Sequence, residues 1–136
     1  MKKQSELLAT GPLVIVVDDD MAVRNSLKFS LEIEGFAVRA YAGGSELLND
    51  GQLPREGGCL VVDQTMPGMN GLDLVAQLRS RNVTVPAILI TSHPSAALRA
   101  RAAKAGVPIV EKPFLGTTLI DRIRDLFSRG SAAPAV

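Results

Sequence analysis

The sequence predicts a doubly wound α/β domain, a parallel sheet with helices on both faces, and three observations lead there. Five short apolar runs, most of them rich in valine and isoleucine, recur along the chain; segments with apolar residues at helical spacing separate them; and glycine or proline stands at many of the joints. Continuous apolar runs mark strands covered on both sides, and strands alternating with helices mark parallel crossover units.

Leu13 to Val17 is the first run, a strand of the kind that needs a helix on either side. A helix follows from about Met21 to Glu34, with Val23, Leu27 and Leu31 recurring every fourth residue, Asp20 as N-cap and Gly35 as the stop. Phe36 to Tyr41 reads as the second strand, Gly44 to Asn49 as a short helix, and Asp50 to Gly58 as a glycine- and proline-rich loop. Cys59 to Val62 is the third strand. Past the turn residues Pro67, Gly68 and Gly71, a helix places Leu74, Val75 and Leu78 on one face. Val85 to Ile90 is the fourth strand, Ser95 to Ala105 an alanine-rich helix ended by Gly106, and Pro108 to Val110 a short fifth strand. The last helix runs from about Leu115 to Phe127, with Leu119, Ile123 and Leu126 on one face and Ile120 and Phe127 beside them.

A chain of 136 residues fits one domain. Its 46% apolar and 21% charged residues are ordinary for a soluble protein, and no apolar run approaches the ~20 residues of a membrane span. Residues 1–12 lack the apolar core of a secretory signal and read as a flexible leader, 13–128 as the domain, and 129–136 as a disordered tail. A cytoplasmic location is expected. A net charge of +1 creates no global field for nucleic acid. Cys59, the single cysteine, excludes an internal disulfide, lacks the neighbours of a zinc site, and reads as a small buried residue.

In open parallel sheets ligands bind beyond the carboxyl ends of the strands. The residues there are Asp18, Asp19 and Asp20 after the first strand, little that is reactive after Tyr41, then Asp63, Thr91 with Ser92, and Lys112. Two carboxylates repel by about 4 kcal/mol at roughly 4 Å and an effective dielectric of about 20, so Asp18, Asp19 and Asp63 together require a cation. Mg2+ suits hard oxygen ligands without histidine or cysteine, and Lys112 adds a second positive group. Asp63 can act as a nucleophile toward phosphorus, Lys112 can neutralise the transferring group, and the Thr91 hydroxyl can hydrogen-bond the product.

Val-Val-Asp18-Asp19-Asp20, Asp63 followed by Met66-Pro67-Gly68-Met69-Asn70-Gly71, Thr91-Ser92 and Glu111-Lys112-Pro113-Phe114 occur in order, and over about Leu13 to Phe127 the chain resembles a response-regulator receiver. The stretch Val-Asp-Asp-Asp-Met-Ala-Val-Arg and the Thr-Ser-His triplet are most similar to receivers of the FixJ type. The resemblance implies a CheY-like, flavodoxin-like (βα)5 fold with sheet order 2-1-3-4-5. It implies that Asp63 is the phosphoacceptor, that Asp19 and Asp63 bind Mg2+ directly and Asp18 mainly through water, and that the main-chain carbonyl of Thr65 completes the protein ligands. Thr91 and Lys112 would grip the phosphoryl oxygens, small Ser92 would leave room beside them, and the bond before Pro113 would be cis.

Two departures stand out. Three residues before the lysine the family carries a switch tyrosine or phenylalanine, and here that residue is Ile109; the segment from Gly106 to Lys112 is one residue shorter than usual, with Pro108 inside it. With about nine residues after the last helix, the chain reads as a stand-alone receiver without direct DNA binding and without a membrane role. Its expected partners are a histidine kinase or histidine phosphotransfer protein and a downstream protein target. Arg99, Arg101 and Lys104 on the fourth helix, with Arg122, Arg124 and Arg129 on the fifth, read as an ordinary solvated face or else as a basic face for an acidic partner or a homodimer, through the fourth and fifth helices and the fifth strand. His93, two residues beyond Thr91, reads as an exposed loop residue or a tuner of dephosphorylation. The expected activity is that of a switch, not an enzyme. Two alternatives remain: a degenerate receiver that docks without phosphorylation, to which Ile109 points, and a haloacid-dehalogenase-like phosphatase, suggested by Asp18-x-Asp20 but lacking a late acidic loop motif.

Overall fold

A computed structural model describes residues 11–54, 57–112 and 118–132, the last four of these by backbone alone. Five strands, β1 (Leu13–Val17), β2 (Ala37–Tyr41), β3 (Cys59–Asp63), β4 (Ala87–Thr91) and β5 (Ile109–Glu111), form one sheet in the order β2-β1-β3-β4-β5. All neighbouring pairs are parallel. The helices between and after them are α1 (Met21–Ile33), α2 (Gly44–Leu48), α3 (Gly71–Ser80), α4 (Ala96–Ala105) and α5 (Thr118–Ala132). This is the doubly wound order expected from the resemblance, with the switch point between β1 and β3.

Burial follows strand position. β3 and β4 are buried throughout and β1 from Val14 onward, whereas every residue of β2 is half-buried and β5 is buried only at Val110. The uninterrupted apolar runs therefore occupy the centre and the mixed ones the edges, as two-sided packing requires. Alternate residues feed two cores. Ile15, Val17, Leu60, Val62 and Leu89 meet Leu47, Leu74, Leu78 and Ala102 of α2, α3 and α4. On the other side Val14, Val16, Val61, Ile88 and Ile90 meet Leu27, Leu31, Leu119 and Ile123 of α1 and α5. Cys59 is fully buried in the second core, and burial pushes its thiol up to about 12, so it serves as packing.

Three strand boundaries differ from expectation for physical reasons. Pro86 has no N–H to give to the ladder, so β4 begins at Ala87, although the Pro86 carbonyl accepts from Leu60 N–H at 2.7 Å. Phe36 is not strand but a core plug that stacks on Phe127 with ring centroids 5.9 Å apart. Pro108 precedes β5, which runs on to Glu111 along the sheet edge that a proline can border. Helix α5 continues beyond Phe127 to Ala132, so part of the segment expected as tail is helical. The leader to residue 10, the bond before Pro113, and Leu115 at the expected start of the last helix lie outside the described residues.

Asp20 caps α1, its Oδ1 accepting from the N–H groups of Ala22 and Val23 at 2.9 and 3.2 Å. Asp20→Ala should cost about 1 kcal/mol of stability, read as a lowered urea midpoint with unchanged slope. The Asp18 carboxylate should keep its place, because the contact from residue 20 to it is made by the Asp20 backbone N–H.

Candidate functional site

Strand register explains why three charged side chains meet. Val17 pairs with Val62, so one step further Asp18 comes beside Asp63, and Asp63 pairs with Ile90. Lys112 follows β5, its N–H donating to the Thr91 carbonyl at 2.9 Å. Asp18, Asp63 and Lys112 share the alternation of Val16, Val61 and Val110, the positions that face α1 and α5. The result is a corner at the carboxyl ends of β1, β3 and β5.

Ligand oxygens of Asp18, Asp19 and Asp63 all lie within 4.8 Å of one another. Asp18 is wholly buried and Asp63 is 5% exposed, while Asp19 opens to solvent. Lys112 Nζ stands 3.5 Å from Asp18 Oδ2 and 3.3 Å from Asp63 Oδ1. Asp18 Oδ1 accepts from the Asp20 N–H at 2.9 Å, but among the described residues Asp18 Oδ2 has no hydrogen-bond donor. A buried carboxylate oxygen without a donor is costly, and a divalent cation is the simplest group to satisfy it. Three carboxylates with no imidazole or thiolate among them form a hard-oxygen donor set, so the residues present fit Mg2+.

Burial, and next the charge of Asp18, raise the pKa of Asp63; Lys112 and the Thr65 N–H, which hydrogen-bonds the carboxylate, act in the opposite direction without cancelling them. The folded chain thus holds this proton to higher pH than the unfolded chain. In metal-free protein, stability should rise as pH falls between the raised value and the ordinary carboxylate range, and the ionised group should detract from stability at neutral pH. Thermal unfolding checks this: Asp63→Asn should melt above the wild type near pH ~7, and the gap should narrow toward pH ~4. Mg2+ at roughly tenfold above its Kd should add about 1.4 kcal/mol to the wild type and much less to the variant.

Thr91 is buried at the end of β4, its hydroxyl donating a long bond of 3.4 Å to the Ser92 carbonyl. Ser92 and His93 are exposed, and His93 has a left-handed backbone, φ 47°. Tyr41 turns its hydroxyl to Asp50, away from the corner. Ile109 is half-buried against the α2–α4 core. A cleft of about 400 Å³, lined by Asp19, Gly43, Gly44 and Met69 among others, opens beside the acidic corner.

Sequence reasoning missed three supports. Arg24 Nη1 donates to the Asp18 carbonyl at 2.8 Å and fixes the turn that carries the acids. Gln64 ties that corner to α3, its carbonyl accepting from Gly71 N–H at 3.1 Å and its Oε1 from Leu72 N–H at 3.0 Å. Gly71, read only as a turn residue, lies so close to β3 that a Cβ would stand 2.7 Å from the Asp63 carbonyl oxygen and 2.7 Å from Leu89 Cδ1. An arginine one turn into a helix after an acidic triplet was a signal for the first; nothing local announced the others.

The expected basic face on the fourth and fifth helices is not one face. Arg99 pairs with Glu111 of β5, and Arg124 pairs with Glu34 at 2.8 Å and covers the Phe36 ring. Arg101 and Lys104 line a cleft against α3 instead. The Arg129 side chain lies outside the described residues.

The family model for the response regulator receiver domain matches residues 14–124. A transcriptional regulatory protein FixJ of Azorhizobium caulinodans is 38% identical over 119 residues, covering 87% of this chain and 56% of its own length. The crystal structure of FixJ-N superposes with a TM-score of 0.73 at 36% identity, covering 82% of this chain and 90% of that one. Full-length FixJ from B. japonicum gives a TM-score of 0.80 at 30% identity, with 91% of this chain and 61% of that one covered. The chain spans about half the length of the curated relatives it matches. Among the described residues no helix is long and apolar enough to cross a membrane.

Proposed function

Given that the chain belongs to the response regulator receiver family of two-component systems, we propose that Asp63 accepts a phosphoryl group from a histidine kinase or histidine phosphotransfer protein, with Mg2+ in the acidic corner. The observation that carries this reading is one ammonium group, Lys112 Nζ, lying 3.5 and 3.3 Å from two buried carboxylates, one of which keeps an oxygen without a hydrogen-bond donor among the described residues. One positive charge against three negative ones leaves the corner short of cation, and Asp18, Asp19 and Asp63, with the Thr65 carbonyl, would hold the ion, Asp18 mainly through water. Bound there, Mg2+ supplies charge neutralisation for phosphoryl oxygens.

This chain's own residues do the rest. An Asp63 carboxylate oxygen forms the new bond to phosphorus while the N–P bond of the donor phosphohistidine breaks and its electron pair stays on the imidazole nitrogen. Lys112, already oriented by two carboxylates, offsets the charge on the phosphoryl oxygens. The Thr91 hydroxyl, weakly engaged with the Ser92 carbonyl, reorients to donate to the product. The phosphorylated domain acts by changing its protein contacts and not by turning over substrate. Direct contact of this domain with DNA is not part of the reading, since an acidic corner on a chain of net charge +1 offers no field for a phosphate backbone.

Incubation with Mg2+ and acetyl phosphate tests it by intact-mass spectrometry. One stable phosphoryl group per chain supports the switch, and continued release of phosphate from excess donor would indicate a phosphatase. Absence of an adduct would favour a docking module that works without phosphorylation, the reading to which Ile109 in place of a switch aromatic points.

A further inference from the structure

Helix α4 divides its cations between two sides. Arg99 faces β5, where Glu111 neutralises it, whereas Arg101 and Lys104 point along the opposite flank toward α3. Among the described residues neither Arg101 nor Lys104 has an ion-pair partner. Between the helices lies an open cleft of about 470 Å³. Alanines build it: Ala76 of α3 and Ala105 of α4 stand where longer side chains would close the gap. Its floor is apolar, from Leu72 and Val75, and Arg79 adds a third cation at the rim, held by a 2.9 Å bond from its Nη1 to the Val83 carbonyl.

We infer that the α3–α4 cleft is a docking groove for an acidic segment of a partner protein, one that seats an apolar side chain between the helices and sets carboxylates against Arg79, Arg101 and Lys104. Among the described residues, three cations against Asp73 give the rim a net positive charge. Nucleic acid fits less well: among the described residues no aromatic ring lines the cleft for a base to stack on, and Asp73 would face a phosphate backbone. The groove lies on the flank of α4 away from β5 and is independent of whether Asp63 accepts phosphate.

The probe is a capped hexapeptide of two central leucines flanked by glutamates, titrated into isotope-labelled protein and followed by amide chemical shifts. The expected shifts cluster at Leu72, Ala76, Arg101 and Ala105, weaken with added salt, and require roughly tenfold more peptide in the double variant Arg101→Glu/Lys104→Glu. Replacing the two leucines by alanine should also weaken binding severalfold. Amide signals of the double variant away from the cleft should overlay those of the wild type, which shows the variant folded whether or not Asp63 accepts phosphate. Absence of shifts in the cleft at millimolar peptide, or equal affinity of the double variant, would overturn the inference. So would tighter binding of a hexathymidylate than of the peptide, or cleft signals that broaden with protein concentration alone, which would assign the groove to nucleic acid or to a second copy of the chain.

Discussion

Asp63→Asn is expected to abolish incorporation of phosphate from acetyl phosphate while leaving the fold intact, a loss beyond the detection range of intact-mass measurement. The amide keeps the size and most hydrogen bonds of the carboxylate but is not a nucleophile toward phosphorus at neutral pH. The substitution also removes the side chain that pairs with Lys112 at 3.3 Å and shares the corner with Asp18. Two readings of the corner separate here. If the acids existed only to cap α1 and start a turn, the variant would incorporate as little phosphate as the wild type, because neither would incorporate any. If Asp63 is the acceptor, the wild type gains one phosphoryl group and the variant none, and the variant also loses most of the Mg2+-dependent rise in melting temperature. Residual incorporation in Asp63→Asn equal to that of the wild type would mean another residue carries the phosphoryl group.

Gly71→Ala should destabilise the domain although it adds only one methyl group. Alanine normally favours a helix over glycine by about 1 kcal/mol, but that gain is small at the first helical position and local overcrowding works against it. The new Cβ would stand 2.7 Å from a backbone oxygen and 2.7 Å from Leu89, a core residue that is fully buried, so neither neighbour can swing aside. The backbone must shift instead, at a cost of roughly 1–3 kcal/mol. Because the oxygen belongs to Asp63, the shift should slow phosphoryl acceptance as well as lower the denaturation midpoint. Gly51→Ala, with nothing within 4 Å of the added methyl, is the matched control and should change stability little. Equal midpoints for the two variants would show that α3 can retreat from β3 at no cost.

Much of this molecule was legible before any coordinates. The buried runs Val14–Val17 and Ile88–Ile90 could hardly be anything but central strands, and filtering for polar residues just beyond the runs isolated Asp18, Asp63, Thr91 and Lys112, all of which fall at one edge of the sheet. Illegible were features that depend on how one helix is rotated against another. Leu74, Val75 and Leu78 orient α3 by their own pattern, but α4 is mostly alanine and has no apolar stripe to say which side faces inward. The assignment of Arg99 and Arg101 to one face failed for that reason: only packing separates a residue near Glu111 from its neighbour two positions on. The contact of Gly71 with β3 was hidden likewise, since a glycine after asparagine is an equally good turn residue whether or not a strand passes beneath it.

The weak patterning of α4 has a thermodynamic corollary. Ala102 is its one fully buried residue, with Leu98 partly covered, so little hydrocarbon is removed from water when this helix docks, in contrast to α3 with five buried positions. Local opening free energies scale with such anchoring, and α4 therefore belongs to the shallow end of the domain's stability spectrum. It also follows the short loop after β4, the strand that ends at Thr91, so a weakly anchored helix stands next in the chain to the hydroxyl proposed to engage the phosphoryl group.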